Sequence, residues 1–591
     1  MKLQLPIPTR ILRIAACLLL IFFAGIGLGR LYTAFFSENA AFENFTEELF
    51  QKEVTANSLS LHYCLAHPEK QDIHIKKTSL GRVCTDYSDY YALCEEYEQK
   101  LKSFSYSELS TEHQLTLDLL LLYYHTQLSL GNNYLLEEYL SPSLGIQAQL
   151  PVLLAEYSFY DEKDIGEYLS LLSDIGPYFE SILDFEKEKS QAGFFMSDIT
   201  LERILEQCEA FIENPKSNYM QDIFKEKIEK FTSFSEEDRQ ELLTLHQNLL
   251  TKEVIPAYQK LIHGLKSLRG TGKNTGGLAN FSGGKSYYRY LIRSETGSYL
   301  SISQIHQRLQ NQLLQNLKEI SFLLKSEPSL ASELTGSGDF LPVKPADVLQ
   351  TLQKQMQSDF PALSSTDYEI RSVHESMEEY LSPAFYLTPP LDTGSPNTIY
   401  INQAHQSSPL EQFNTLAHEG FPGHLYQTVY FSRQQPLPIR YLLNTSGYVE
   451  GWATYIESYA CQYAAQLNPD LSSSDKAALR LWHLNRSSNL CLFSLLDLGI
   501  HYYGWNLTQA FDFLKPFGIT DETVVSEIYQ YIIETPANYL NYCLGACSFE
   551  DLKNKQQQKL GKEFSLKQFH QKVLKIGPVP FPLLEKYLEK F

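Results

Sequence analysis

From about residue 40 to residue 260, apolar side chains recur every three or four positions. The stretches LSTEHQLTLDLLLLYYHTQLSL (109–130) and SDITLERILEQCEAFIENP (197–215) show this spacing plainly. It is the period of an α-helix with one buried face, and each stretch carries Ser or Asp where an N-terminal cap belongs. No repeat of fixed period is present. A glycine-rich break, RGTGKNTGGLANFSGGKSYYRYLI (269–292), precedes a return to helical spacing from 301. The next interruption, SPAFYLTPPLDTGSPNTIYIN (382–402), is rich in Pro, Gly and Thr and closes on the strand-like NTIYIN (397–402). Beyond 411 the pattern is helical almost to the end. The prediction is a mainly α protein with a few strands, whose domain of two lobes divides roughly into 38–290 and 291–591.

The glycine-rich break contains ANFSGGKS (279–286), one residue away from a phosphate-binding loop, with Ala279 in the leading glycine position. A phosphate cradle needs a strand before the loop and a helix after it. The preceding segment reads as helix, so nucleotide binding is not expected. The break is read instead as a flexible loop bordering the active cleft.

With 43% hydrophobic and 20% charged residues, the 591-residue chain can bury a large core. Its 49 basic and 70 acidic residues leave a net charge of −21, which argues against a nucleic-acid surface. Lys2, Arg10 and Arg13 precede the apolar run IAACLLLIFFAGIGLG (14–29). Positive charge ahead of such a run directs the following chain across a membrane. Residues 1–37 are therefore expected to be a single membrane anchor with the rest of the chain extracytoplasmic, or alternatively a cleaved signal of a secreted protein. IAAC resembles a lipid-attachment site, but Cys17 opens the apolar run instead of following it. The other eight cysteines permit disulfides without demonstrating them, and their spacings match no C-x-x-C pair.

The chemistry concentrates in FNTLAHEGFPGHLYQ (413–427), where His418 and Glu419 are adjacent as in the zinc-protease pattern H-E-x-x-H. The second histidine, His424, is six residues on instead of four. On a regular helix it would point about 240° away and lie about 9 Å along the axis. Both rings meet one ion only if the helix is interrupted. Pro422 and Gly423 supply the interruption, one through its missing N–H and the other through backbone freedom.

Downstream, GYVEGWATYIESYA (447–460) places Glu450 and Glu457 seven apart on one helical face among Tyr, Trp and Ala. Burying two carboxylates there is costly without a cation. The candidate zinc ligands are His418, His424 and Glu450, with Glu457 orienting a histidine. Glu419 is the candidate general base for a zinc-activated water. Candidate donors to the oxyanion are His501 in LLDLGIHYYGW (495–505) and Tyr542 in TPANYLNYCLG (535–545), with Tyr539 beside it as a supporting or substrate-binding residue. Asn402, which closes the strand, is a further candidate for substrate binding.

HEGFPGH, VEGWATYIE, LDLGIHYYGW, PANYLNYCLG and FHQKVLKIGPVPFPLL, in this order and spacing over about 380–585, resemble the bacterial family catalogued as domain of unknown function 885. FENFTEELFQKEVTANSLSLHYCLAHPE (42–69) resembles the start of the same domain. The resemblance implies a largely helical, zincin-like metallopeptidase, distantly similar to thimet-oligopeptidase-like enzymes, with His418, His424 and Glu450 holding one Zn²⁺ and Glu419 as base. Many members carry paired histidines where this chain has His424 followed by Leu425. In zincins an edge strand beside the metal helix pairs with the substrate backbone, and NTIYIN is the candidate strand. The expected function is hydrolysis of short peptides outside the cytoplasm. A non-catalytic peptide-binding protein and a zinc hydrolase of non-peptide amides or esters are the alternatives. The ligand types also suit manganese or cobalt.

Overall fold

The computed structural model describes residues 37–591 apart from 216–217, 333–339, 376–377, 379–380, 406 and 444. The apolar run at 14–29 and the anchor expected there lie outside the described residues. Among those described, no helix is long and apolar enough to cross a membrane.

The expected caps are in place. Ser110 accepts a hydrogen bond from the His113 N–H at the head of α1 (Thr111–Leu128), and Ser197 does the same for Thr200 at the head of α2 (Asp198–Ile212). The protein is mainly helical, with one sheet of three strands among the described residues: β1 (Tyr368–Ser372), β2 (Ala384–Leu387) and β3 (Asn397–Ile401). Two large cores hold the helices. One joins Phe42, Leu101 and Leu120 with Phe413, Trp452, Phe549 and Leu584. The other lies between Leu59 and Leu265, around Leu172, Ile204 and Tyr258. The cores do not divide at residue 290 as the expected lobes do, because the first helices of the chain pack with the last.

Strand β3 pairs parallel with β1, setting Ile370 opposite Ile399, and antiparallel with β2, setting Tyr386 opposite Ile399. All five β3 residues are buried. NTIYIN is therefore the central strand, and the substrate-pairing role expected of it cannot be filled there, since both its edges are already hydrogen-bonded. The edges are β1 and β2, and β2 is the one that borders the cavity. Period-2 alternation marks a strand but does not say which of its neighbours will leave an edge free.

The glycine-rich break runs from a helix (Ile255–Ser267) to another helix (Gly284–Thr296) without an intervening strand. Its Leu278 N–H donates to His501 Nδ1 at 3.2 Å, and a Cβ on Gly277 would lie 2.6 Å from the Ile500 carbonyl oxygen. The loop thus packs onto the 499–503 turn.

Four helices and one close crossing position the site: α3 (Pro409–Glu419), α4 (His424–Ser432), α5 (Ser446–Leu467) and, after α6 (Ser473–Leu498), α7 (Asn538–Leu560). Helices α5 and α7 touch backbone to backbone. A Cβ on Gly451 would lie 2.5 Å from the Gly545 Cα, and one on Gly545 would lie 2.2 Å from the Gly447 carbonyl oxygen. Only glycine permits this approach, and it carries Glu450 and Tyr542 to the same cavity.

Candidate metal centre

Helix α3, capped by Ser408 and opened by Pro409, makes its last backbone bond from Gly420 N–H to the Leu416 carbonyl at 2.9 Å. The chain then turns through Phe421, Pro422 and Gly423, and α4 starts at His424. Glycine at 423 is dictated by contact: a Cβ would sit 1.8 Å from the His418 carbonyl oxygen. Trp452 holds the turn by donating its indole N–H to the Pro422 carbonyl at 2.9 Å. The interruption brings the His418 and His424 rings to 4.8 Å between centroids, at 87° to one another. Leu425, where the resemblance leads one to expect a second histidine, is fully buried in the core.

Glu450 Oε2 lies 3.4 Å from His418 Nε2 and 3.5 Å from His424 Nε2. These separations are long for charge-assisted hydrogen bonds. They match the edge of a zinc tetrahedron: ligands each about 2.0–2.1 Å from one ion lie about 3.3–3.4 Å apart. Glu419 is a rival third ligand, since one of its oxygens and one nitrogen of each histidine lie within 4.8 Å of one another. Its Oε2, however, already accepts the Tyr386 N–H at 3.0 Å. Glu450 completes the better ligand set and leaves Glu419 beside it. Two imidazole nitrogens and one carboxylate oxygen suit a divalent ion with an open coordination position.

The electrostatics call for positive charge. Burial opposes protonation of His418, but Glu450 and Glu457 outweigh it and hold its pKa up at about 10. Burial would likewise raise the Glu450 pKa, yet the two imidazoles keep it well below the usual carboxylate range. Glu457, 2% exposed, faces His418 Nδ1 at 3.0 Å through Oε1. Arg486 clasps it with Nε–Oε2 at 2.6 Å and Nη2–Oε1 at 2.9 Å. With Nδ1 tied to a carboxylate, His418 presents Nε2 to the centre. His424 has no such partner on its far side, where Nδ1 is buried and unbonded.

The cluster opens on a cavity of about 810 Å³. Its wall includes His418, Glu419, His424, Glu450, Tyr542 and the edge strand β2 with its flanks, from Ser382 to Thr388. In an antiparallel pair, alternate residues turn their N–H and C=O outward. Tyr386 is outward, as its bond to Glu419 shows. The Tyr542 phenol is held protonated by burial and by Glu450.

Three of the expected residues are placed elsewhere. His501 is 1% exposed and both its nitrogens are engaged, Nδ1 by Leu278 N–H and Nε2 on the Ile532 carbonyl at 2.8 Å. Burial lowers its pKa to about 4, so it is a neutral brace for the glycine-rich loop. Tyr539 packs on Phe493 and Tyr531. Asn402 is buried and spends its amide on the Glu378 and Leu381 carbonyls. None of the three lines the cavity, and neither does the glycine-rich loop. Arg486 and Tyr386 went unforeseen. An arginine among Asn and Ser carries no spacing signal, and a backbone N–H carries none at all.

Fold and site together define a mainly helical protein with an interrupted-helix His/Glu cluster on the wall of a cavity. The chain belongs to the family described as "Bacterial protein of unknown function (DUF885)", whose model matches residues 83–588. Among solved structures it is similar to a proposed lipoprotein from Colwellia psychrerythraea, with a TM-score of 0.80 and 20% identity, covering 94% of this chain and 99% of that one. A proposed lipoprotein of unknown function from Shewanella oneidensis is similar with a TM-score of 0.60 and 16% identity, covering 93% of this chain and 99% of the other. At these identities the likeness concerns the fold. No curated protein matches the chain.

Proposed function

We propose that this chain is a zincin-like peptidase that uses Zn²⁺ to hydrolyse peptide bonds of short peptides outside the cytoplasm. The observation carrying this reading is the approach of His418 Nε2 and His424 Nε2 to one Glu450 oxygen, with Glu419 adjacent on the cavity wall. Zinc held by these ligands would supply a Lewis acid, polarising the scissile carbonyl and drawing the pKa of water towards about 7. Glu419, tethered through Oε2 by Tyr386, keeps its other oxygen to take a proton from the attacking water. The water oxygen bonds to the carbonyl carbon, the C–N bond breaks, and Glu419 passes the proton to the departing amine. The Tyr542 hydroxyl donates to the oxyanion, and the outward backbone groups of β2 other than the Tyr386 N–H, which holds Glu419, pair with the extended substrate.

Lys2, Arg10 and Arg13 ahead of the apolar run support attachment to a membrane with the catalytic part extracytoplasmic. The description of both structural neighbours as proposed lipoproteins supports the same location. The test is metal analysis of the purified protein with a peptide-cleavage screen of the zinc-loaded form. Glu419→Gln should retain one ion and lose hydrolysis; turnover persisting in that variant overturns the reading.

A further inference from the structure

A stripe of side chains leads from the candidate metal centre along α4. His424, Gln427, Thr428 and Phe431 lie three or four residues apart, so they share one helical face, and all four line the cavity. His424 and Phe431 are seven residues apart, about 10 Å along the axis. Over the Phe431 ring, 5.3 Å from its centroid, stands the guanidinium of Arg440, which also lines the cavity.

Arg440 is 5% exposed. Its Nη2 donates to the carbonyls of Ile576 at 2.7 Å and Pro578 at 3.4 Å, while its Nε is buried without a partner. Among the described residues no carboxylate lies within 4.0 Å of it. Capping the helix that ends at Ile576 accounts for Nη2, but not for Nε or for the missing counter-charge. Buried cations are ordinarily paired. The other arginine of the cavity, Arg486, is paired with Glu457. Gln427 adds a second unmet donor, since it is 3% exposed and its Nε2 has no partner.

We infer that Arg440, assisted by Gln427, anchors a carboxylate of the substrate. This rests on the peptidase reading above. About 10 Å is the reach of roughly three extended residues, so the scissile bond lies two or three residues from the anchored group. A free C-terminus and an acidic side chain offer the same chemistry, and the substrate series below separates them.

The zinc-loaded protein is given one neutral hexapeptide as the free acid, as the C-terminal amide, and as the amide with a single Glu stepped along it. Cleavage is followed by mass spectrometry. Loss of a charge-assisted contact predicts that the amide falls about ten- to a hundredfold in kcat/KM, mainly through KM. Arg440→Gln should level the free acid down to the amide. Recovery with Glu at one position identifies a side-chain carboxylate as the source; preference for the free acid alone identifies the terminus. Equal cleavage of every form, with Glu419→Gln inactive, overturns the anchor and leaves the peptidase reading standing. Cleavage of none overturns both. The wild-type series decides the question even if Arg440→Gln fails to fold.

Discussion

His418 Nδ1 lies 3.0 Å from Glu457 Oε1, and Arg486 grips both oxygens of the same carboxylate. Two turns nearer the start of α5, Glu450 faces the other nitrogen of the same ring. A single helix thus supplies one carboxylate that faces the candidate ion and a second that fixes the imidazole. The seven-residue separation of Glu450 and Glu457 is what puts both on one side.

Glu457→Gln removes the charge that orients His418 while keeping the shape of the side chain. Metal affinity is expected to fall about ten- to a hundredfold, with circular dichroism unchanged. A competition titration against a chromophoric chelator measures it, and an unchanged affinity would deny Glu457 this role.

Tyr542→Phe deletes a hydroxyl on the cavity wall. If that hydroxyl donates to the oxyanion, kcat should drop about 10²–10³-fold with KM and bound metal nearly constant. A loss carried by KM instead would make Tyr542 a ground-state contact.

Gly545→Val drives a side chain into the backbone of α5, where even a Cβ would meet the Gly447 carbonyl oxygen at 2.2 Å. Overpacking of this kind costs about 1–3 kcal/mol. Because the same crossing places Glu450, metal affinity should fall together with Tm. Lower stability with intact affinity would uncouple the crossing from the site.

Acid should draw stability away through three buried histidines from about pH 6.5 downward, against an opposite contribution from Asp164 and Asp497, whose carboxyls burial pushes up to about 6 and about 7. Burial depresses His246 and His570 to about 3 and His501 to about 4, all from the usual value near 6.5. Above 6.5 these histidines are neutral folded or unfolded and contribute no slope. As pH falls from 6.5 towards 4, the unfolded chain takes up protons that the native state refuses. Stability then drops by up to about 1.4 kcal/mol per pH unit for each histidine. Urea unfolding between pH 7.5 and 4.5 measures the slope. The share of each histidine is the difference in slope between the protein and its His246→Gln, His501→Gln or His570→Gln variant, and an unchanged slope would contradict neutral burial of that residue.

Much of the candidate site was legible because local rules govern it. The spacing of His418 and His424 demanded a break, and Pro422 and Gly423 stood where the break occurs. His501 misled, since a histidine in an apolar segment reads alike whether it serves a cavity or braces a loop. Asn402 misled because hydrogen bonds to carbonyls more than twenty residues away leave no periodic trace, and Tyr539 because packing on Phe493 and Tyr531 leaves none either.

The residues by themselves determined the helical periodicity, the caps at Ser110 and Ser197, the interrupted helix, and the common face of Glu450 and Glu457, because each depends on neighbours within a few turns. Tertiary structure alone decided that NTIYIN is central and β2 is the edge at the cavity, that Arg486 supports Glu457, and that Arg440 has no carboxylate within 4.0 Å among the described residues. Those outcomes depend on which segments meet across hundreds of residues, and backbone contacts such as Gly451 against Gly545 select the meeting.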